Sequence, residues 1–286
     1  MMRDRARRLD HLDRLLTSSH GAAIASLRTP VRRAEIAEQL VSLLSPNSFA
    51  ADQYRTLRHS VERLRREDGL KVLAMTSPTP GDGKTVTTLN LAGALAQGHD
   101  ARVLVVDADL RRPSVAKYLG LDGQSSPGMS DVLLDPACTL GDVVQRLDGF
   151  NLSIVPSGPP QDAPYELLNS ARLEDFLKDA RARYDCVFID TPPLVPLPDC
   201  RLIGKWVDGF LLVVGAHKTP RRLVADALNL LDPAKLIGVV FNGDRRPLSD
   251  RYGYDHYYYS HADDRETGWW RQMLTLGRSG RRRHSH

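Results

Sequence analysis

Between residues 71 and 242 the chain alternates short, unbroken apolar runs with longer stretches of helical period. The runs are 72–75, 103–106, 187–189, 210–214 and 236–241, with 152–155 a weaker sixth. They are continuous rather than alternating, the pattern of strands covered on both faces. Helical patterns occupy 85–97, 171–183 and 220–231. Ser170 stands where it can cap the second, and Pro220 suits the first turn of the third. Strand–helix alternation predicts an α/β fold, a mostly parallel sheet with helices on both faces. Residues before about 70 are rich in Arg, Leu and Ala and read as helical. Residues 243–286 are polar, aromatic and basic, without clear periodicity.

Composition narrows the class. A chain of 286 residues accommodates one α/β domain of about 200 residues plus terminal segments. Its three cysteines, Cys138, Cys186 and Cys200, are far apart, which argues against a disulfide framework or a zinc site and fits a reducing cytoplasm. No apolar run approaches the ~20 residues of a membrane span. The basic N-terminus has no apolar core behind it, so it does not read as a secretory signal. A cytoplasmic location, with recruitment to the membrane only through another protein, is the expectation. Net charge is +4, but arginines crowd both ends. Contact with nucleic acid or anionic lipid and simple solvated arms both fit such ends.

The strongest motif is Ser77-Pro78-Thr79-Pro80-Gly81-Asp82-Gly83-Lys84-Thr85. It follows a strand pattern and opens a helix pattern, the context a phosphate-binding loop requires. Gly81 and Gly83 let the backbone curl so that its N–H groups face phosphate oxygens. The helix start adds its positive end. Lys84 is placed to reach the β- and γ-phosphates, and the Thr85 hydroxyl to ligate Mg²⁺. The usual first glycine of the motif is replaced by Pro78.

Two later strand patterns end in acids. One runs into Asp107-Ala108-Asp109-Leu110-Arg111-Arg112-Pro113, the other into Asp190-Thr191-Pro192-Pro193. Ligands of open parallel sheets bind at the carboxyl ends of the strands. The three aspartates therefore belong on the side of the phosphate loop. There a carboxylate holds Mg²⁺ or accepts a proton from an attacking hydroxyl.

These segments resemble the Walker A, second Walker A-type and Walker B motifs of the bacterial tyrosine autokinases, within the P-loop ATPases that include the MinD and ParA proteins. The resemblance extends through 128–133, 158–168 and 238–242 and spans roughly residues 52 to 259. MinD-like proteins carry a signature lysine where this chain has Thr79. Motifs of the eukaryotic-type kinases are absent. The resemblance implies nucleotide contacts from Pro80, Gly81, Asp82, Gly83, Lys84, Thr85, Val86 and Asn242. It implies Mg²⁺ ligation by Thr85, Asp107 and Asp190, with Asp190 the Walker B carboxylate. Asp107 and Asp109 would serve the metal and the tyrosine nucleophile, and which of them takes the proton stays open. The resulting division is a basic helical arm (1–50), a P-loop kinase domain (51–243) and a flexible Tyr-rich, basic tail (244–286).

Tyr252, Tyr254, Tyr257, Tyr258 and Tyr259 make up more than half of the chain's nine tyrosines. No core buries so many adjacent rings on one face, so an exposed segment offered for autophosphorylation is expected. Asp52, Arg55 and Arg58 resemble the family's ExxRxxR motif, with Asp in place of Glu. Three-residue spacing on a helix puts them on one face. By resemblance that face packs on the next subunit of a homo-oligomeric ring. Leu9, Leu12, Leu15 and Leu16 form a leucine stripe that suits a membrane surface or the protein's own core. Trp269, Trp270 and the arginines after them would suit anionic lipid.

The implied activity is ATP-dependent phosphorylation of the chain's own tyrosines, in the regulation of capsule or exopolysaccharide polymerisation and export. The implied partners are a membrane chain-length regulator as activator and a tyrosine phosphatase; nucleic acid is not expected. Two rivals remain, a MinD-like ATPase switch and a nucleotide-holding scaffold. Thr79 and the tyrosine cluster count against the first, and intact Lys84, Asp107, Asp109 and Asp190 against the second.

Overall fold

Each apolar run of the central region forms a strand, and in all but the edge run 236–241, where Val239 and Phe241 are exposed, the residues are buried on both faces of the sheet. In the computed structural model, which describes residues 28–29, 35–98, 101–121, 126–147 and 149–244, Val72 and Ala74 face one core while Leu73 and Met75 face the other. The same division holds for Leu104 and Val106 against Val103 and Val105, and for Val187 and Ile189 against Phe188. Two-sided burial is why these segments read as continuous rather than alternating.

The strands are β1 (Arg28–Thr29), β2 (Val72–Thr76), β3 (Val103–Asp107), β4 (Gln145–Leu147), β5 (Leu152–Val155), β6 (Cys186–Asp190), β7 (Gly209–Gly215) and β8 (Leu236–Asn242). They form one sheet in the order β1-β4-β5-β3-β6-β2-β7-β8. Neighbours run parallel except β4 and β5, which are antiparallel. The α/β, mostly parallel expectation therefore holds.

Three helices cover one face: α1 (Val41–Leu44), α2 (Phe49–Asp68) and α3 (Lys84–Ala96). Leu43, Val61, Leu89, Leu91 and Leu95 from these helices fill the core beneath them. Ser48 caps α2 by accepting a hydrogen bond from the Ala51 amide at 3.2 Å. Gly69, in the left-handed conformation, ends it. Helix α3 is buried almost all round because it lies between the sheet and α2.

The short helix α4 (Val115–Tyr118) lies on the same face and adds Val115 to that core. The opposite face is covered by α5 (Met129–Leu134), α6 (Leu140–Val143), α7 (Pro164–Leu168), α8 (Ala171–Arg183), α9 (Asp199–Ile203) and α10 (Arg221–Leu230). Met129, Leu140, Leu168, Phe176, Ile203 and Ala227 from these helices fill the core that Val72 and Ala74 face.

Several local readings shift. Ser170 precedes α8, but its hydroxyl donates to the Leu167 carbonyl at 2.7 Å instead of capping the helix. Pro220 stands one residue before α10 rather than inside its first turn. The helical reading of the region before residue 70 holds for α1 and α2, while Arg28–Thr29 pairs with β4. Ile36, Leu40 and Leu43 are buried in the core under α3. Leu9, Leu12, Leu15, Leu16, Trp269 and Trp270 lie outside the described residues. Among the described residues no helix is long and apolar enough to cross a membrane.

Candidate functional site

Strand β2 sits between β6 and β7, and β6 sits between β2 and β3. The loop leaving β2 therefore emerges beside the ends of the two acid-tipped strands. Register completes the convergence: Asp107 lies directly opposite Asp190, and Met75 lies opposite Asp190 on the other side.

The loop from Ser77 to Gly83 curls through two left-handed glycines, Gly81 at φ 80° and Gly83 at φ 92°. Both conformations disfavour any side chain. A Cβ on Gly83 would lie 1.9 Å from Asn242 Nδ2, so that position is closed sterically as well. Thr79 donates its amide (2.9 Å) and hydroxyl (3.0 Å) to the Asp82 carboxylate, which closes the loop on itself. The Asp82 carboxylate is buried and braces the loop from within. Pro80 is exposed on the loop's outer side, and Val86 packs towards the core under α3.

Lys84 opens α3 with its Nζ between two acids, 3.3 Å from Asp190 Oδ2 and 3.4 Å from Asp109 Oδ2. The Thr85 hydroxyl donates to Asp190 Oδ2 at 2.7 Å and lies 3.0 Å from Ser114 Oγ. Thr88, one helical turn beyond Lys84, donates to Asp190 Oδ1 at 3.3 Å. Asp107 accepts the Ser114 and Val115 amides on one oxygen, each at 2.9 Å, and the Asp109 amide on the other at 3.2 Å. Asp109 in turn accepts the Arg112 amide at 3.1 Å. The three sequence-selected aspartates, Lys84 and Thr85 are thus one hydrogen-bonded cluster.

Charge balance in this cluster is tight. Burial pushes the Asp107 carboxyl up to about 7, and the neighbouring Asp190 charge adds to the shift. Burial also raises Asp190, against the pull of Lys84 and Thr85. Burial works against the Lys84 ammonium, but Asp190, Asp109 and Asp107 together outweigh it and hold its pKa above the ordinary lysine value. Three acids around one lysine leave surplus negative charge, which a divalent cation would neutralise. The donors are hard oxygens, one hydroxyl and carboxylates. That suits Mg²⁺, which takes one or two protein carboxylates and completes its shell with water and substrate phosphates. Among the described residues no group of three or more His, Cys, Asp or Glu is placed to hold a metal ion.

Other residues of the site carry no local signal. Lys218 Nζ donates to the Gly81 carbonyl at 2.7 Å, and the Thr219 hydroxyl donates to Asp82 Oδ1 at 2.6 Å. Both lie 137 positions from their partners. Their placement just past the apolar run 210–214, on the ligand side of the sheet, was the one available clue. Asn242, at the end of β8, donates its Nδ2 to the Asp82 carbonyl at 3.0 Å. It is thus a brace of the loop. Arg111 grips the buried Asp199 through two contacts, at 2.6 and 3.2 Å, and ties the 107–113 segment to α9.

The candidate oligomerisation residues are engaged within the chain. Arg55 pairs with Asp52 and with the Pro46 carbonyl. Arg58 binds Glu62 and, at 2.8 Å, the Ala94 carbonyl of α3. The tyrosines Tyr252, Tyr254, Tyr257, Tyr258 and Tyr259 lie outside the described residues.

A parallel sheet, a glycine-rich loop at a helix start, a lysine and strand-tip acids define a P-loop nucleotide-binding protein. A family model described as an AAA domain matches residues 70–199. Tyrosine-protein kinase YwqD of Bacillus subtilis (strain 168) is 33% identical over 225 residues, 78% of this chain and 93% of that protein. Tyrosine-protein kinase wzc of Salmonella typhimurium is 29% identical over 79% of this chain, which spans only 31% of that longer protein. The kinase domain of Escherichia coli tyrosine kinase ETK is 29% identical and superposes with a TM-score of 0.69, covering 78% of this chain and 87% of that domain. The chain belongs to the bacterial tyrosine-protein kinase family.

Proposed function

We propose that this chain transfers the γ-phosphoryl group of ATP to tyrosines of its own C-terminal cluster, chiefly from one copy to another. The observation that carries this reading is the convergence of Lys84, Thr85, Asp107, Asp109 and Asp190 at one end of the sheet. In-line attack by a tyrosine oxygen forms a new O–P bond and breaks the bond between the γ-phosphorus and the β–γ bridging oxygen, releasing ADP. The tyrosine proton passes to the linked Asp107–Asp109 pair. Lys84, now paired with Asp109 and Asp190, exchanges these partners for the β- and γ-phosphate oxygens. The loop amides hold the β-phosphate, and Thr85, Asp107 and Asp190 would hold Mg²⁺. The ion would neutralise charge on the transferring group. Catalysis here is positioning and charge stabilisation rather than covalent chemistry.

Each phosphate adds about −1.5 to −2 charges at neutral pH, so a fully modified tail repels its neighbours. By family resemblance Asp52, Arg55 and Arg58 would build a homo-oligomeric ring, and that repulsion would loosen it once the tails are phosphorylated. The family implies control of capsule or exopolysaccharide polymerisation and export. It also implies activation by the cytoplasmic tail of a membrane chain-length regulator that recruits the kinase to the membrane, and reversal by a tyrosine phosphatase.

The test is to incubate purified chain with Mg·ATP, with and without Lys84→Met, and map phosphate by mass spectrometry. Phosphotyrosine within 252–259 in the wild type alone supports the kinase. ADP release without phosphotyrosine would point to an ATPase switch. Neither, even with the activator's tail supplied, would leave a scaffold.

A further inference from the structure

A backbone nest binds an anion only if its peptide N–H groups point inwards. In a trans peptide the carbonyl then points the opposite way, out of the nest. Every inward amide thus leaves an outward carbonyl that some donor must satisfy, and glycine-rich loops leave that plane free to flip.

Two donors from outside the loop meet this need. Lys218 Nζ holds the Gly81 carbonyl at 2.7 Å, which orients the Gly81–Asp82 peptide and so the Asp82 amide. Asn242 Nδ2 holds the Asp82 carbonyl at 3.0 Å, which orients the Asp82–Gly83 peptide and so the Gly83 amide. These are the planes that flank the two left-handed glycines. The ends of β7 and β8 supply the donors, and they are themselves tied together, with the Ala216 amide donating to the Asn242 carbonyl at 2.8 Å.

The turn carrying Lys218 is built to present it. Thr219 closes the turn by accepting the Gly215 amide at 3.2 Å and reaches Asp82 with the same hydroxyl. His217 is the one non-glycine residue with positive φ among the described residues, at 58°. Such a conformation is unfavourable for a side chain and persists where the surroundings enforce it. Lys218 itself is exposed and reaches out of the turn to the loop.

We propose that Lys218 is a positioning residue that locks the Gly81–Asp82 peptide plane and so aims the Asp82 amide at the β-phosphate of the nucleotide. This rests on the nucleotide-binding reading above. Lys218 neither replaces Lys84 nor needs to touch the reacting atoms. It makes the nest before the ligand arrives, which lowers the reorganisation cost of binding.

The experiment is calorimetric titration of the full chain with Mg·ADP and with AMP, for wild type, Lys218→Met, Lys218→Arg and Lys84→Met. Loss of a charge-assisted hydrogen bond predicts about tenfold weaker ADP binding in Lys218→Met. AMP, which has no β-phosphate, keeps its affinity, and Lys218→Arg restores ADP binding to within about threefold by keeping the donor. The chain still unfolds in a single transition without nucleotide, with a midpoint lowered by no more than the loss of one exposed hydrogen bond. Wild-type ADP affinity in Lys218→Met overturns the proposal, as does an equal loss of ADP and AMP. If Lys84→Met loses ADP while Lys218→Met does not, the nucleotide site stands and the lock falls. If the wild type binds no ADP, both fall.

Discussion

Asp107 and Asp109 are two residues apart, yet their surroundings separate their roles. Asp107 spends both oxygens on backbone amides, while Asp109 keeps one oxygen against Lys84. Because burial lifts the folded Asp107 pKa to about 7, the folded chain binds more protons than the unfolded one between about pH 4 and 7. Stability of the ligand-free chain therefore falls as pH rises through that window. Denaturant midpoints should drop from about pH 5 to about pH 8, and Asp107→Asn should flatten the slope. Mg·nucleotide should reverse the trend, since its ligands must be ionised. At Gly83, alanine meets both a left-handed backbone and Asn242. Gly83→Ala should cost about 1–3 kcal/mol in denaturation and lower nucleotide affinity more than tenfold.

At the scale of elements, legibility followed burial. Six strands were readable, five because burial on both faces leaves an unbroken hydrophobic run and the edge strand β8 because its run stays apolar although Val239 and Phe241 are exposed. The short β4 was not, because Gln145-Arg146-Leu147 carries a strand's hydrogen bonds with a single apolar side chain. Lys84, Thr85 and the strand-tip acids were readable from motif and position. Lys218, Thr219 and Asp199 were not, since their partners lie far along the chain and only folding brings them together. In helix α2 the intrachain partners of the arginines were equally out of view, because Arg55 reaches the Pro46 carbonyl and Arg58 the Ala94 carbonyl only once the chain has folded. Arg58→Ala removes the bond to Ala94 and should lower the stability of the dilute chain by about 1 kcal/mol, measured by urea unfolding. A residue serving assembly alone would leave that value unchanged. In the sheet, Phe188→Ala empties a fully buried site and should cost about 3–5 kcal/mol.

The whole molecule presents its acids, its phosphate loop and the β8 terminus on the same end of the sheet, and the tyrosines follow that strand in the chain. Transfer between copies predicts that initial phosphorylation per chain rises with protein concentration, whereas transfer within one copy predicts no such rise. It also predicts that a Lys84→Met chain is phosphorylated when mixed with a chain truncated after residue 244. The most direct measurement of the central claim pairs transfer with binding. Phosphotyrosine formation from Mg·ATP and ADP affinity are followed together for wild type, Asp107→Asn, Asp109→Asn and Asp190→Asn. The account predicts that each substitution slows tyrosine transfer at least about a hundredfold while the folded chain still binds ADP. Wild-type transfer rates in all three variants would contradict it.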